Sequence, residues 1–283
     1  MIHPSQLKIA FIGGGNMASA IISGLIQNGL NPNNLLAIDP SESARNVLIE
    51  KYHVMTQADI VSSKKFLQTA SLVVLSIKPQ QMLEAMTALS MCLKELPESE
   101  YLILSIVAGV RSMDIEKYLD RARIVRAMPN TPALIQKGVT GLFRGKNVNG
   151  DDIELVEIVS KAIGQYVWVD REELLDIVTA LSGSGPAYVF SMIENLIESA
   201  CLLGLSYEQA KLLATQTIIG AGELALQSSE SPTILREKVT SKGGTTFAAL
   251  EVLREHHWGQ ALQEAIKAAT KRAQELGDEF SQK

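Results

Sequence analysis

The chain has 283 residues, 46% hydrophobic and 20% charged, the make-up of an ordinary globular protein too long for one small core. Its 26 basic and 31 acidic side chains leave a net charge of −5 with no basic stripe, which argues against a nucleic-acid partner. Cys92 and Cys201 sit in apolar helical contexts without a CxxC or a nearby histidine, so neither a disulfide framework nor a metal site is indicated, and both thiols are expected to be buried.

Residues 7–24 run an apolar strand into Gly13-Gly14-Gly15 and then into a helix. In the GxGxxA fingerprint Gly13 makes the tight turn, Gly15 lets the backbone approach a pyrophosphate, and Ala18 lets the helix pack closely on the strand. The free N–H groups of Asn16, Met17 and the rest of the first helical turn would meet the phosphates. The next strand, Leu35–Ile38, ends in Asp39, 21 residues after Ala18, about where an acidic residue meets the adenosine ribose. Further strands are predicted at Ser71–Ile77, Tyr101–Val107 and Arg123–Met128, with amphipathic helices between them. This alternation predicts a parallel, doubly wound Rossmann-type sheet. Two short strands, Gly138–Arg144 and Gln165–Val169, flank a helix over Asp151–Ile163 and are expected to extend the sheet's edge.

From Arg171 onward the pattern becomes helical: Glu172–Leu181, Pro186–Leu203, Tyr207–Gln227, Thr233–Thr240, Thr245–His256, and a last helix from Trp258 to about Gly277. The expected organisation is a dinucleotide-binding domain over 1–169 and an all-helical substrate-binding and dimerisation domain over 170–283. The run Ile218–Leu226 is apolar around much of its circumference, which calls for burial in a bundle or against another subunit and predicts a homodimer. The amino terminus, Met1–Gln6, lacks the features of a secretory signal, and the longest apolar runs fall far short of a membrane span, so a cytoplasmic protein is expected.

In an open α/β sheet the ligand lies beyond the carboxyl ends of the strands. Three segments fall there besides the glycine loop: Ile77-Lys78-Pro79-Gln80, Val107-Ala108-Gly109 and Met128-Pro129-Asn130-Thr131-Pro132. Lys78 reads either as a cation for coenzyme phosphate or ribose, or as a solvated lysine in a turn. Asn130 reads as a partner for a nicotinamide carboxamide, or as an Asx turn in a rigid loop. In the helical half, Ser182–Ala187 is a helix start with Pro186 near its first turn. Thr240-Ser241-Lys242-Gly243-Gly244-Thr245-Thr246 opens another helix, and reads either as an anion site suited to a carboxylate or as an ordinary capped turn. His3, His53, His256 and His257 form no hydrolytic pattern. A reduction needing little acid catalysis, such as that of an already protonated imine, would suit this chain.

With these residues in view, the chain resembles the pyrroline-5-carboxylate reductases over nearly its whole length. The resemblance rests on Ile12–Ala18, Ile77–Gln80, Val107–Val110, Arg126–Pro132, Leu181–Tyr188 and Thr240–Thr246, in that order. It implies reduction of 1-pyrroline-5-carboxylate to L-proline by NAD(P)H, in a homodimer whose helical domains interlock to complete the active site and which can pack further into a ring. It implies that Gly243, Gly244 and Thr245 hold the substrate carboxylate through backbone N–H groups, that Thr246 hydrogen-bonds the ring nitrogen, and that Glu172 lies near substrate and nicotinamide. Glu172 also reads as an ordinary acid in a first helical turn. The implied coenzyme contacts are Gly13, Gly14, Gly15, Asn16, Met17, Asp39, Pro40, Ser41, Ile77, Lys78, Pro79, Ala108 and Asn130.

Ile38-Asp39-Pro40-Ser41 departs from the Asn-Arg or small hydroxyl residues common in NADPH-using members. A carboxylate there would accept ribose hydroxyls of NAD(H) and repel a 2′-phosphate by about 1–4 kcal/mol at about 4 Å. Alternatively Asp39 points away and Ser41, Ser43 and Arg45 receive the phosphate, so NADP(H) is the family expectation and NAD(H) stays open. Two other functions compete: a β-hydroxyacid dehydrogenase-like reductase, for which Lys211 lacks the usual setting, and a non-catalytic NAD(P)-binding protein.

Overall fold

The computed structural model describes residues 7–94, 101–119 and 121–282. Residues 1–6, read above as lacking a secretory signal, lie outside the described residues, as does His3. In chain order the elements are β1 (Ile9–Ile12), α1 (Asn16–Gln27), β2 (Leu35–Ile38), α2 (Glu42–Tyr52), β3 (Met55–Gln57), α3 (Lys64–Leu67), β4 (Leu72–Leu75), α4 (Met82–Lys94), β5 (Tyr101–Ser105), α5 (Ser112–Glu116), β6 (Ala122–Met128), β7 (Gly138–Arg144), α6 (Gly150–Lys161) and β8 (Gly164–Val169). The helices α7 (Leu174–Val178), α8 (Gly185–Leu202), α9 (Tyr207–Gln227), α10 (Pro232–Lys238), α11 (Thr245–Glu255) and α12 (Trp258–Ser281) complete the chain. They form two compact units, one running to Ser184 and including the stretch from Ala269, the other Gly185–Ala268.

The first unit is built on one eight-stranded sheet in the order β3-β2-β1-β4-β5-β6-β7-β8. Its inner strands are buried on both faces, so β1, β2 and β4 read as continuous apolar runs rather than alternating ones. Along β1 the pleat sends Ile9 and Phe11 into one core, with Ile21, Ile22 and Leu25 of α1 and Val156 and Val159 of α6. It sends Ala10 and Ile12 into the opposite core, with Met82, Met86 and Leu89 of α4. Each such large side chain contributes about 1.5–3 kcal/mol by leaving water.

The expected parallel, doubly wound sheet is present, with three local departures. β7 runs antiparallel to β6, because the link between them holds only one 3-10 turn, Thr131–Ile135, too little chain for a parallel crossover. A three-residue edge strand, β3, pairs with β2 and was not anticipated, since Met-Thr-Gln carries no apolar pattern. The helix expected over Glu172–Leu181 is instead the short α7 followed by a π turn over Thr179–Gly183. Cys92 is buried as expected, whereas Cys201 is only half-buried.

In the second unit α8 and α9 pack as a pair, and their shared buried cluster is small: Ile197, Ala210 and Ala214. Many large apolar side chains of this unit stay in contact with solvent within the chain, among them Leu202 and Leu203 at nearly 90% exposure, Leu224, Leu226, Phe190 and Leu212. A unit this short with so little core of its own needs more burial than one chain supplies. Among the described residues no helix is long and apolar enough to cross a membrane.

Gly24, on α1, lies so close to the turn after α6 that a Cβ would stand 2.1 Å from the Ala162 carbonyl oxygen. Gly24→Ala is therefore expected to lower stability by about 1–3 kcal/mol through overpacking, despite the gain of about 1 kcal/mol in helix propensity. Thermal unfolding of the two proteins checks this, and an unchanged or raised midpoint would contradict the contact.

Candidate active site

The loops after β1, β2, β4, β5 and β6 all leave the same edge of the sheet, since these strands are mutually parallel. The strand order reverses direction between β1 and β4, and that switch point is where an open α/β sheet leaves a crevice. Gly13 makes the turn there with φ at +101°. A Cβ on it would stand 2.5 Å from the Ser76 carbonyl oxygen and 2.8 Å from a methyl of Ile77. The Gly13 N–H donates to the Ile38 carbonyl at 2.8 Å, and the Ser76 hydroxyl is within reach of the Gly13 and Ile12 carbonyls at 2.8 and 3.0 Å. Ser76 was not singled out from the sequence, because a serine after a strand carries no signal of its own.

Gly15 caps the start of α1 without a side-chain bond, and where its Cβ would be there is no atom within 4 Å. Gly15 and Asn16 are exposed and Met17 is half-buried. The first-turn N–H groups of α1 thus face open space with no acidic residue among them, the arrangement that accepts a phosphate. The residues at this edge fit a dinucleotide.

Asp39 is turned into the protein. Its Oδ2 accepts the Gly14 N–H and its Oδ1 accepts the Ser41 N–H, both at 2.8 Å. The carboxylate therefore braces the glycine loop. Beside it the Ser41 and Ser43 hydroxyls lie 2.9 Å apart, and the Arg45 guanidinium donates to the carbonyls of Asp39 and Pro40 at 2.7 and 2.9 Å. Pro40, Ser41 and Ser43 are exposed and Arg45 half-buried, a cationic, hydroxyl-rich rim around the end of β2.

After β4, Ile77 and Pro79 are half-buried and Lys78 is exposed at the start of a 3-10 turn, with its N–H donating to Gln81 at 3.3 Å. Ala108 is half-buried in the turn after β5. Asn130 is buried, and its amide spans two segments: Nδ2 donates to the Ser182 carbonyl at 3.1 Å and Oδ1 accepts the Val139 N–H at 2.9 Å. These partners tie the loop after β6 to Ser182 and Val139 over a longer range than an Asx turn would.

Glu172 lies ahead of α7, not inside its first turn. Its Oε1 accepts the Ser112 N–H at 2.7 Å and the Arg126 guanidinium at 3.0 Å, and its Oε2 accepts the Ser112 hydroxyl at 2.8 Å. Arg126 is 7% exposed. Asp176 stands nearby, where burial raises its carboxyl above the usual range against the downward pull of Arg126 and Arg111. The cavity that Gly109, Arg111, Arg126, Glu172 and Asp176 line is about 20 Å³, room for one water and for neither substrate nor coenzyme.

In the second unit, considered by itself, Gly243 takes φ at +73° and Gly244 is the N-cap of α11 with no side-chain bond. Its N–H closes the turn onto the Ser241 carbonyl at 3.0 Å. Gly243 and Thr245 are exposed, Gly244 and Thr246 half-buried. Four other helix N-termini are closed by their own residues: Ser41 caps α2, Asn149 α6, Ser206 α9 and Ser231 α10, and α2, α6 and α9 add acids in the first turn. α1 and α11 open behind glycine with neither cap nor acid, so each keeps a positive N-terminus for an outside anion.

Comparison with known proteins gives a separate match for each part of the chain. Residues 8–109 match the family described as NADP oxidoreductase, coenzyme F420-dependent, and residues 172–276 match pyrroline-5-carboxylate reductase dimerisation. A pyrroline-5-carboxylate reductase of Pseudomonas aeruginosa is 38% identical over 98% of this chain and 100% of its own length, and one of Arabidopsis thaliana is 33% identical over 97% of each. Among solved structures, a pyrroline-5-carboxylate reductase from Coxiella burnetii superposes with a TM-score of 0.88 at 41% identity, covering 96% of this chain and 98% of its own. The Plasmodium falciparum enzyme, solved with NADP bound, gives 0.83 at 28% identity over 96% and 99%. With the coenzyme fingerprint at one end, the dimerisation region at the other, and near-complete coverage between them, the chain belongs to the pyrroline-5-carboxylate reductase family.

Proposed function

We infer that this chain reduces 1-pyrroline-5-carboxylate to L-proline with NAD(P)H as a homodimer. The observation that carries the reading is the pair of uncapped helix N-termini behind Gly15 and Gly244, one for coenzyme phosphate and one for substrate carboxylate. A dehydrogenase of the β-hydroxyacid type would ask for a lysine acid or base, and a coenzyme sensor would have no use for the second anion turn.

In this reading Gly13, Gly14, Gly15, Asn16 and Met17 bind the pyrophosphate, while Ile77, Lys78, Pro79 and Ala108 line the path of the coenzyme toward the reacting end. Asn130 contributes by holding the loop after β6 in place. The turn at Gly243, Gly244 and Thr245 holds the substrate carboxylate through the N–H groups of Gly243 and Thr245, with Gly244 shaping it through its own bond to Ser241, and the Thr246 hydroxyl bonds the ring nitrogen. Glu172 supports the loop after β5 through Ser112. When bound, the reduced nicotinamide supplies the hydride that the imine carbon accepts. The C=N electron pair then settles on the nitrogen, which carries its proton from the start, so the chain's own task is orientation and charge stabilisation. The functional division falls near residue 170, with coenzyme binding before it and substrate binding and dimerisation after it.

Ser41, Ser43 and Arg45 rim the end of β2 with hydroxyl and guanidinium donors suited to a 2′-phosphate, which favours NADPH, while the Asp39 oxygens keep lone pairs for ribose hydroxyls and leave NADH open. We place the protein in the cytoplasm and extend the assembly to a ring of dimers, a reading supported by the exposed Leu202 and Leu203 at the end of α8. Light scattering at micromolar concentration tests both levels of assembly: a monomer mass refutes the dimer and a dimer mass refutes the ring.

Spectrophotometric oxidation of NADPH with 1-pyrroline-5-carboxylate tests the activity, and coenzyme binding without turnover would refute it. Arg45→Ala is expected to lower kcat/KM with NADPH by about 10–100-fold, the loss of one charge-assisted contact, and with NADH by under about threefold. Equal losses with both coenzymes would remove Arg45 from phosphate recognition. Thr246→Val is expected to cut kcat by about 10–100-fold while NADPH affinity stays within about twofold, and wild-type kinetics would sink the role given to its hydroxyl.

A further inference from the structure

The loop after β5 is gripped from two directions. On one side Glu172 takes both the N–H and the hydroxyl of Ser112 while also holding Arg126. On the other side lies the end of α12, within the same compact unit. Gly109, at φ +71°, is covered by Leu276 and Gly277: a Cβ on Gly109 would stand 3.3 Å from Cβ of Leu276 and 3.5 Å from the Gly277 nitrogen. The Arg111 guanidinium lies against Gly277, where a Cβ would stand 3.4 Å from its Nε, and donates to Asp278 at 2.6 Å. Asp114 is 2% exposed and accepts from the Ser281 hydroxyl at 2.7 Å and from Lys117 at 2.8 Å.

Gly109, Arg111, Ser112 and Asp114 thus each have a fixed partner outside the loop, and Ala108 stands at the open end of the gripped segment. The Asp114 contact matters most physically. A nearly fully buried carboxylate loses a charge-assisted hydrogen bond when Ser281 is removed, whereas the more exposed Arg111–Asp278 pair is screened by water. The cavity beside Gly109, Arg111 and Gly277 is about 20 Å³, too small for a ligand, so these contacts act on loop geometry.

We propose that residues 276–281 of the last helix are a positioning element for the coenzyme, fixing the Ala108–Gly109 turn through Leu276–Gly277, Asp278 and Ser281. This rests on the reading that Ala108 lines the coenzyme's path. Asp278 and Ser281 are positioning residues, acting through Arg111 and Asp114.

The test uses the full-length Asp278→Ala/Ser281→Ala double variant, with NADPH affinity measured by coenzyme fluorescence alongside steady-state kinetics and thermal melting. NADPH Kd is expected to rise about 5–10-fold and kcat to fall about tenfold, while KM for the imine substrate, bound by the turn before α11, stays within about twofold. Arg272→Ala is the control on the same helix, since its guanidinium pairs with Glu275 and Glu279, and all three parameters should hold. Asp278→Glu/Ser281→Thr should recover most of the coenzyme affinity. A double variant that melts lower but binds NADPH and turns over like the parent makes the stretch merely structural and overturns the proposal. If the double variant does not fold, Gly277→Val decides the matter by crowding the Arg111 guanidinium without deleting a hydrogen bond: weakened NADPH binding supports the proposal and parental binding overturns it. A parent that binds NADPH without reducing 1-pyrroline-5-carboxylate refutes the activity, and coenzyme affinity still decides the positioning role.

Discussion

The architecture of the coenzyme edge depends on one close approach, that of the Gly13 backbone to Ser76 and Ile77. β1 and β4 are hydrogen-bonded neighbours, so the residues that follow them start out within van der Waals contact before their helices diverge to opposite faces of the sheet. Only a residue without a side chain lets them do so. Once that contact is made, the glycine loop has a fixed floor, Ser76 ties it down through the Ile12 and Gly13 carbonyls, and α1 starts where its N-terminus faces the crevice. Asp39 then braces the loop from the side of β2. The anion site is thus a product of strand order before it is a product of any polar side chain.

Much of this was legible in the chain, because the inner strands are buried on both faces and must be apolar throughout. β2 is found over Leu35–Ile38 as read, and β7 over Gly138–Arg144. The segments that went unread lack that pressure. β3 has one neighbour and no buried residue, so nothing in Met-Thr-Gln marks it. The direction of β7 depends on how much chain separates it from β6, a matter of loop length and not of pattern.

At the site the limit is different in kind. Residue type tells where charge can be found but not where it points. Asp39 carries two readings in the sequence, and neither foretells that its oxygens accept the backbone N–H groups of Gly14 and Ser41. Asn130 offers the same lesson, since an amide able to greet a carboxamide is equally able to join Ser182 to Val139. Glu172 reads either as a residue near substrate and nicotinamide or as an acid in a first helical turn, and neither reading foretells its bridge from Ser112 to Arg126 across a large sequence separation. Contacts such as Ser281 with Asp114 have no local signature at all. The uncapped starts of α1 and α11 are the reverse case: they stand out against the capped α2, α6, α9 and α10, and that contrast is written in the residues themselves.

The sparse interior of the Gly185–Ala268 unit has a consequence for how this protein persists at low abundance. With Ile197, Ala210 and Ala214 as its buried cluster and so many leucines turned outward, this half draws its stability from a second chain. Its folding free energy is then a function of protomer concentration, because association withdraws only the folded form from the equilibrium. Scarcity acts on such a protein as heat does on a self-sufficient one: below some number of copies per cell the helical half has no complement, and the turn at Gly243–Thr246 loses its scaffold together with the dimer.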